Sequence, residues 1–198
     1  DLNWMKRAAS FTDDENREDA RALGEMLRRL NRLPKPTVAL VQGSAFGGGV
    51  GLMAACDIVI AVRDAAFSLS EVKLGLIPAT IAPYVIEAVG ARRARALFLT
   101  ANMFDADYAA HVGLVDAVVP DAAALDGFIS QLSGTLAACA PGAMGEAKRL
   151  VHDVAHRKVD HSLMEDTAHR IARARVSKEG QEGVRAFLDK RRPEFRGR

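Results

Sequence analysis

Val41-Gln42-Gly43-Ser44-Ala45-Phe46-Gly47-Gly48-Gly49-Val50-Gly51-Leu52-Met53-Ala54-Ala55-Cys56-Asp57 is the stretch whose reading decides the fold. Just upstream, Pro36-Thr37-Val38-Ala39-Leu40-Val41 is a short apolar, β-branched run introduced by proline, the pattern of a buried strand. Downstream, Val50 to Cys56 is small and apolar, suited to a helix packed tightly in an interior. Gly47-Gly48-Gly49 at the joint lets backbone N–H groups approach a ligand with no Cβ in the way. These glycines also open a helix, so their N–H groups carry the positive end of its dipole. The pattern is a strand–glycine loop–helix joint suited to an anion or a developing oxyanion. Spacing removes three familiar alternatives. A phosphate loop needs Lys followed by Ser or Thr after its last glycine. A dinucleotide fingerprint counted from Gly47 meets Leu52 where its third glycine belongs. A nucleophile elbow needs Ser or Cys between glycines. On the glycines alone, an oxyanion hole and a structural tight turn both stay open.

Outward from the loop, Ala55-Cys56-Asp57-Ile58 is followed by Phe67-Ser68-Leu69-Ser70-Glu71-Val72-Lys73-Leu74-Gly75-Leu76-Ile77-Pro78. Near the end stands Glu182-Gly183-Val184-Arg185-Ala186-Phe187-Leu188-Asp189-Lys190-Arg191. Taken with the glycine loop, these segments resemble the enoyl-CoA hydratase/isomerase (crotonase) superfamily over essentially the whole chain. The resemblance implies an α/β fold: a ClpP-like spiral of ββα turns over residues 1–121, then a helical region, 122–198, that assembles homotrimers, often stacked as hexamers. It implies that Asp1-Leu2-Asn3-Trp4-Met5 matches the middle of the family domain, so the opening strands and the alanine of the second oxyanion donor are expected to be missing. It assigns the Gly48 N–H to the thioester oxygen and Glu71 to acid–base work. Gly47, Gly51, Phe46, Leu2, Trp4, Pro78 and Lys190 become substrate-binding positions, Lys190 toward the nucleotide end of coenzyme A. Coenzyme A is then part of the substrate, with no separate cofactor and no metal.

The best-known hydratases share proton transfer between two glutamates, and here one of the two positions is Gly51. Asp1–Arg7, Gly49-Val50-Gly51 and Leu76–Tyr84 together resemble bacterial methylglutaconyl-CoA hydratases of leucine degradation and the related isohexenylglutaconyl-CoA hydratases. That likeness implies a thioester branched at C3 and carrying a second carboxylate. Gly51 is expected to open room beside the β-carbon for the branch, leaving Glu71 to handle proton and water largely alone. Partial burial after Phe67-Ser68-Leu69 would raise the pKa of Glu71 toward a useful range. Lys6, Arg7 and Lys73 are candidate partners for the second carboxylate, or else solvated surface charges. Phe187, beside Lys190, reads otherwise as core. A general 2-enoyl-CoA hydratase or double-bond isomerase is the alternative within the family. Outside it, a non-catalytic CoA-thioester binder or scaffold remains.

Composition agrees with a globular protein: 198 residues, 49% hydrophobic and 26% charged. A net charge of +2 is too slight to argue for nucleic acid, and no RNA-binding motif or aromatic interleaving stands here. No run reaches membrane-spanning length. Cys56 and Cys139 fit no metal or redox spacing and read as reduced interior thiols of a cytoplasmic protein. His152 and His156 have a helical i, i+4 spacing but no third ligand, and read as a surface pair. Lys190-Arg191-Arg192 with Arg196 and Arg198 reads as a solvated basic tail.

Thr12-Asp13-Asp14-Glu15 predicts a capping box for a helix to about Asn31, with Leu23, Met26, Leu27 and Leu30 as its buried stripe. Strands are expected at Ile58 to Val62, Ala66 to Leu69 and Leu114 to Val119. Helices are expected near Ile81 to Val89, Ala91 to Leu99 and from Ala106 to Gly113. From Ala122 the pattern is helical only, with a second capping box at Ser162-Leu163-Met164-Glu165.

Overall fold

Thr12 N donates to Glu15 Oε2 at 2.7 Å and Glu15 N to Thr12 Oγ1 at 3.3 Å, so the expected capping box forms. The computed structural model describes residues 2–8 and 10–195, with the side chains of Leu2 and Met5 outside the described set. In chain order the helices are α1 (Leu2–Ala8), α2 (Asp13–Asn31), α3 (Gly48–Ala54), α4 (Ala82–Val89), α5 (Ala91–Thr100), α6 (Ala106–His111), α7 (Ala122–Ala137), α8 (Pro141–Val154), α9 (His161–Val176) and α10 (Lys178–Leu188). The strands are β1 (Val38–Val41), β2 (Ala45–Phe46), β3 (Ile58–Val62), β4 (Ala66–Ser68), β5 (Phe104–Asp105) and β6 (Ala117–Val119), with one 3₁₀ turn at Glu71–Leu74. Residues up to Asn31 with Thr37–Leu125 form one compact unit, and Arg32–Pro36 with the residues from Asp126 form a second. The break falls inside α7.

The first unit is α/β and holds two three-stranded sheets. One has the order β1-β3-β6 and is wholly parallel, with Val38 opposite Ile58 and Ile60 opposite Ala117. The other has the order β2-β4-β5, parallel between β2 and β4 and antiparallel between β4 and β5. The core is Leu27, Val50, Ile60, Phe67, Leu69, Val85 and Leu125, all enclosed, and the ring of Phe67 stacks on Phe104 at 5.7 Å. Asp57, just past the glycine helix, clamps the start of β1. Its Oδ2 accepts from Thr37 N at 2.7 Å and from Thr37 Oγ1 at 2.8 Å.

Several expectations need correction. β1 is an edge strand with Leu40 exposed, not a buried one. Only Leu27 of the α2 stripe is fully enclosed, and Met26 is exposed. β6 is shorter than expected because Leu114 N and Val115 N both bond back to Ala109 O, closing the end of α6. β2 and β5, two residues each, carry too little pattern to be read in advance.

The second unit is helical. Glu179, in the first turn of α10, accepts from Gly142 N at 3.0 Å and Ala143 N at 2.9 Å, supplying a carboxylate to the open donors of α8. The cap of α9 is Asp160, whose Oδ1 accepts from Leu163 N at 3.0 Å. Ser162 already lies inside the helix, so the expected box at 162–165 does not form. Helix α8 ends at Val154, and His156 has a left-handed backbone with φ 63°, so His152 and His156 share no helix face. Cys139 is exposed rather than interior, while Cys56 is half-buried. Among the described residues no helix is long and apolar enough to cross a membrane, and no cluster of His, Cys, Asp or Glu could hold a metal.

Candidate active site

Parallel pairing of β2 with β4 builds the site. Ala45 lies opposite Phe67 and Phe46 opposite Ser68, and the ladder is extended by Gly47 N donating to Ser68 O at 3.0 Å. Ser68 is itself enclosed, its Oγ donating to Ala101 O at 3.2 Å, so the register is held from both sides. Three residues beyond Ser68 the chain enters the 3₁₀ turn, and its first residue, Glu71, arrives over Gly47. A Cβ placed on Gly47 would stand 2.8 Å from Glu71 Oε1. Gly47 has φ 48° and ψ −114°, a conformation that L side chains rarely adopt, so the backbone calls for glycine here, and a Cβ would also push the Glu71 carboxylate aside.

Glu71 is half-buried, and its Oε2 is enclosed with no hydrogen-bond partner among the described residues. Leaving one buried polar atom unpaired costs about 1–3 kcal/mol, and more for a charged group. Next to Glu71, the first turn of α3 carries open donors. Gly47 N is spent on Ser68 O, and Gly51 N donates to Gly47 O at 3.1 Å. Gly48 N has no backbone acceptor among the described residues, and a Cβ on Gly48 would meet nothing within 4 Å. A carboxylate and an approachable N–H at a helix start thus flank one glycine.

The expected opening at Gly51 is absent. Gly51 is buried, and a Cβ built on it would lie 2.1 Å from Ile81 Cγ2 and 2.4 Å from Ile81 Cβ. The glycine leaves no room for a substrate branch because Ile81, only 3% exposed, already fills the space. The sequence marked this residue as the start of a helix and part of the Leu76–Tyr84 likeness, but not as the neighbour of Gly51.

Other expected positions scatter. Phe46 is half-exposed beside the loop, with Leu74, Leu76 and Ile77 of the segment after Glu71 also exposed. Pro78 is buried. Trp4 is exposed and fixed by its Nε1 donating to Asp19 Oδ1 at 3.0 Å, a bond to α2 and not to the glycine loop. The side chain of Leu2 lies outside the described residues. Lys6, Arg7 and Lys73 are all exposed. In the second unit Lys190 is exposed with φ 54°, and Phe187 is 81% exposed, not core. Of the basic tail, Arg196 and Arg198 lie outside the described residues.

A family model for enoyl-CoA hydratase/isomerase matches residues 2–198. The chain belongs to that family. A crystal structure from Legionella pneumophila, provisionally described as an enoyl CoA hydratase/isomerase (crotonase), superposes with a TM-score of 0.91 at 49% identity, covering 99% of this chain and 75% of that one. A Thermus thermophilus protein provisionally named an enoyl-CoA hydratase is 32% identical over 197 residues, 98% of this chain and 76% of its own length. The Alternaria alternata enoyl-CoA hydratase ACTT6 is 36% identical over 168 residues, 84% of this chain. This chain thus matches only 55% of that relative. The likeness to the Legionella structure shows the crotonase fold for this enoyl-CoA hydratase/isomerase family member, as the glycine loop and the Phe67–Pro78 segment imply.

Proposed function

We propose that the protein hydrates a 2-enoyl-CoA thioester, with Glu71 as the acid–base group and the Gly48 N–H as an oxyanion donor. The single observation that carries this reading is the enclosed, unpartnered Glu71 Oε2 beside the glycine turn that opens α3. In this mechanism the carboxylate takes a proton from water as the water oxygen bonds to C3 of the enoyl group. The displaced π electrons move through C2 onto the thioester oxygen, where the Gly48 N–H receives the charge. Collapse of that enolate takes the same proton from Glu71 to C2, which restores the carboxylate and balances the addition. A preorganised oxyanion donor typically contributes ~3–4 kcal/mol, and positioned proton transfer ~10²–10⁴-fold. Coenzyme A enters as part of the substrate, and no further cofactor is required.

The finer proposal is a C3-branched, 3-methylglutaconyl-CoA-like substrate of the kind met in leucine degradation. Its support is the likeness of residues 1–7, 49–51 and 76–84 to that subgroup, since the space at Gly51 no longer argues for it. Assembly as a homotrimer or a dimer of trimers in the cytoplasm belongs to the same proposal. The test is a substrate panel with product analysis, with 3-methylglutaconyl-CoA and crotonyl-CoA run side by side. Preference for the branched thioester supports the finer reading, and turnover of crotonyl-CoA alone removes it. A shifted double bond without added water would make the protein an isomerase. Binding without turnover of either would make it a non-catalytic thioester binder.

A further inference from the structure

Gly47 is the residue that caps α3, and Gly51 N donates to Gly47 O at 3.1 Å, so Gly51 stands in the first turn of the helix, one hydrogen bond from the cap. Glu71 covers the first of these glycines and Ile81 the second. The second contact is an interlock: a Cβ at position 51 would lie 2.1 Å from Ile81 Cγ2, 2.4 Å from its Cβ and 3.5 Å from its Cδ1. Carbon atoms at rest sit about 3.5–4.0 Å apart. Ile81 is poorly placed to retreat. It is the residue on which α4 starts, its carbonyl accepting from Tyr84 N at 3.1 Å and Val85 N at 3.2 Å, and its side chain is enclosed.

We infer that Ile81 is a specificity-determining residue, which holds position 51 empty of any side chain and so confines acid–base chemistry beside the glycine turn to Glu71. A carboxylate at position 51 would start from the residue whose N–H bonds back to the glycine that Glu71 covers. Ile81 presents hydrocarbon there instead, which can neither carry a proton nor hold a second water. Glu71 must then both take the proton and return it, and the two positions, 51 and 81, can change only together. The functional consequence rests on the hydratase reading, whereas the interlock does not.

The test is a double-mutant cycle on the full chain. Because the clash includes Ile81 Cβ, Ile81→Ala relieves only part of it and Ile81→Gly all of it. Gly51→Ala is expected to lower the melting temperature by roughly 3–10 °C in the parent, by less in the Ile81→Ala background, and by almost nothing in the Ile81→Gly background. If Gly51→Ala alone yields no soluble protein, its recovery by Ile81→Gly counts as the same result. An equal loss in all three backgrounds overturns the interlock. The pH profile of hydration supplies a second readout. Gly51→Glu combined with Ile81→Gly should add an ionisation that neither the parent nor Ile81→Gly shows, and an unchanged profile overturns the role assigned to Ile81. A parent that turns over no enoyl thioester would sink the hydratase reading while the melting cycle still judged the interlock.

Discussion

Glu71 and Gly47 form the smallest working unit of the proposed site, and each predicts its own failure. Glu71→Gln keeps size and hydrogen-bonding shape but cannot shuttle a proton as a carboxylate does, so hydration should fall by about 10²–10⁴-fold. Gly47→Ala should lose both stability and activity. Its Cβ would press on Glu71 Oε1, and the strained backbone adds ~1–3 kcal/mol, measurable by chemical denaturation. The pairing of these two residues was legible in the sequence only through motif likeness, because nothing in local pattern says that residues 47 and 71 meet. Ile81 was read only as the start of a helix and as one residue of the Leu76–Tyr84 likeness, and its contact with Gly51 was not legible. Its role depends on which atoms face Gly51, and spacing carries no such information.

Elements are set largely by caps and periodicity, and their errors are instructive. The two candidate caps of α9 lie two residues apart, and only Asp160 has extended backbone and an acceptor facing Leu163 N. Asp160→Ala should therefore cost about 1 kcal/mol, and Ser162→Ala about half that or less. Thermal melts of the two variants distinguish them. Glu182 on α10 holds the segment beyond the helix: Arg191 donates to it at 2.7 and 3.0 Å and Glu194 N at 2.8 Å. The Arg191 guanidinium, with the Glu194 N–H second, lowers the Glu182 pKa from 4.5 to about 2. The folded value lies below the unfolded one, so this tie stabilises the fold fully above about pH 4.5 and is lost as pH falls toward about 2. The stability difference between the parent and Glu182→Gln should shrink over that window in acid titration, and a difference independent of pH would count against the tie. The long periodic segment α2 was readable in advance. β2, which sets the register of the site, was not, because two residues show no period and its existence depends on β4.

At the scale of the whole molecule, the α/β first unit and the helical second unit follow from the alternation of elements before Ala122 and its end after it. The helical region leaves Ile171, Val176, Val184, Phe187 and Leu188 exposed. The proposed trimer would cover such residues, and light scattering should then give a mass three or six times that of the chain, whereas a monomer would remove that part of the proposal. The central claim is that one carboxylate performs the hydration. The most direct test is the hydration rate of a 2-enoyl-CoA thioester by the parent and by Glu71→Gln, with thioester binding measured beside it. A single-carboxylate mechanism predicts a fall of about 10²–10⁴-fold in rate with binding nearly unchanged. Hydration at the parent rate in Glu71→Gln would contradict it.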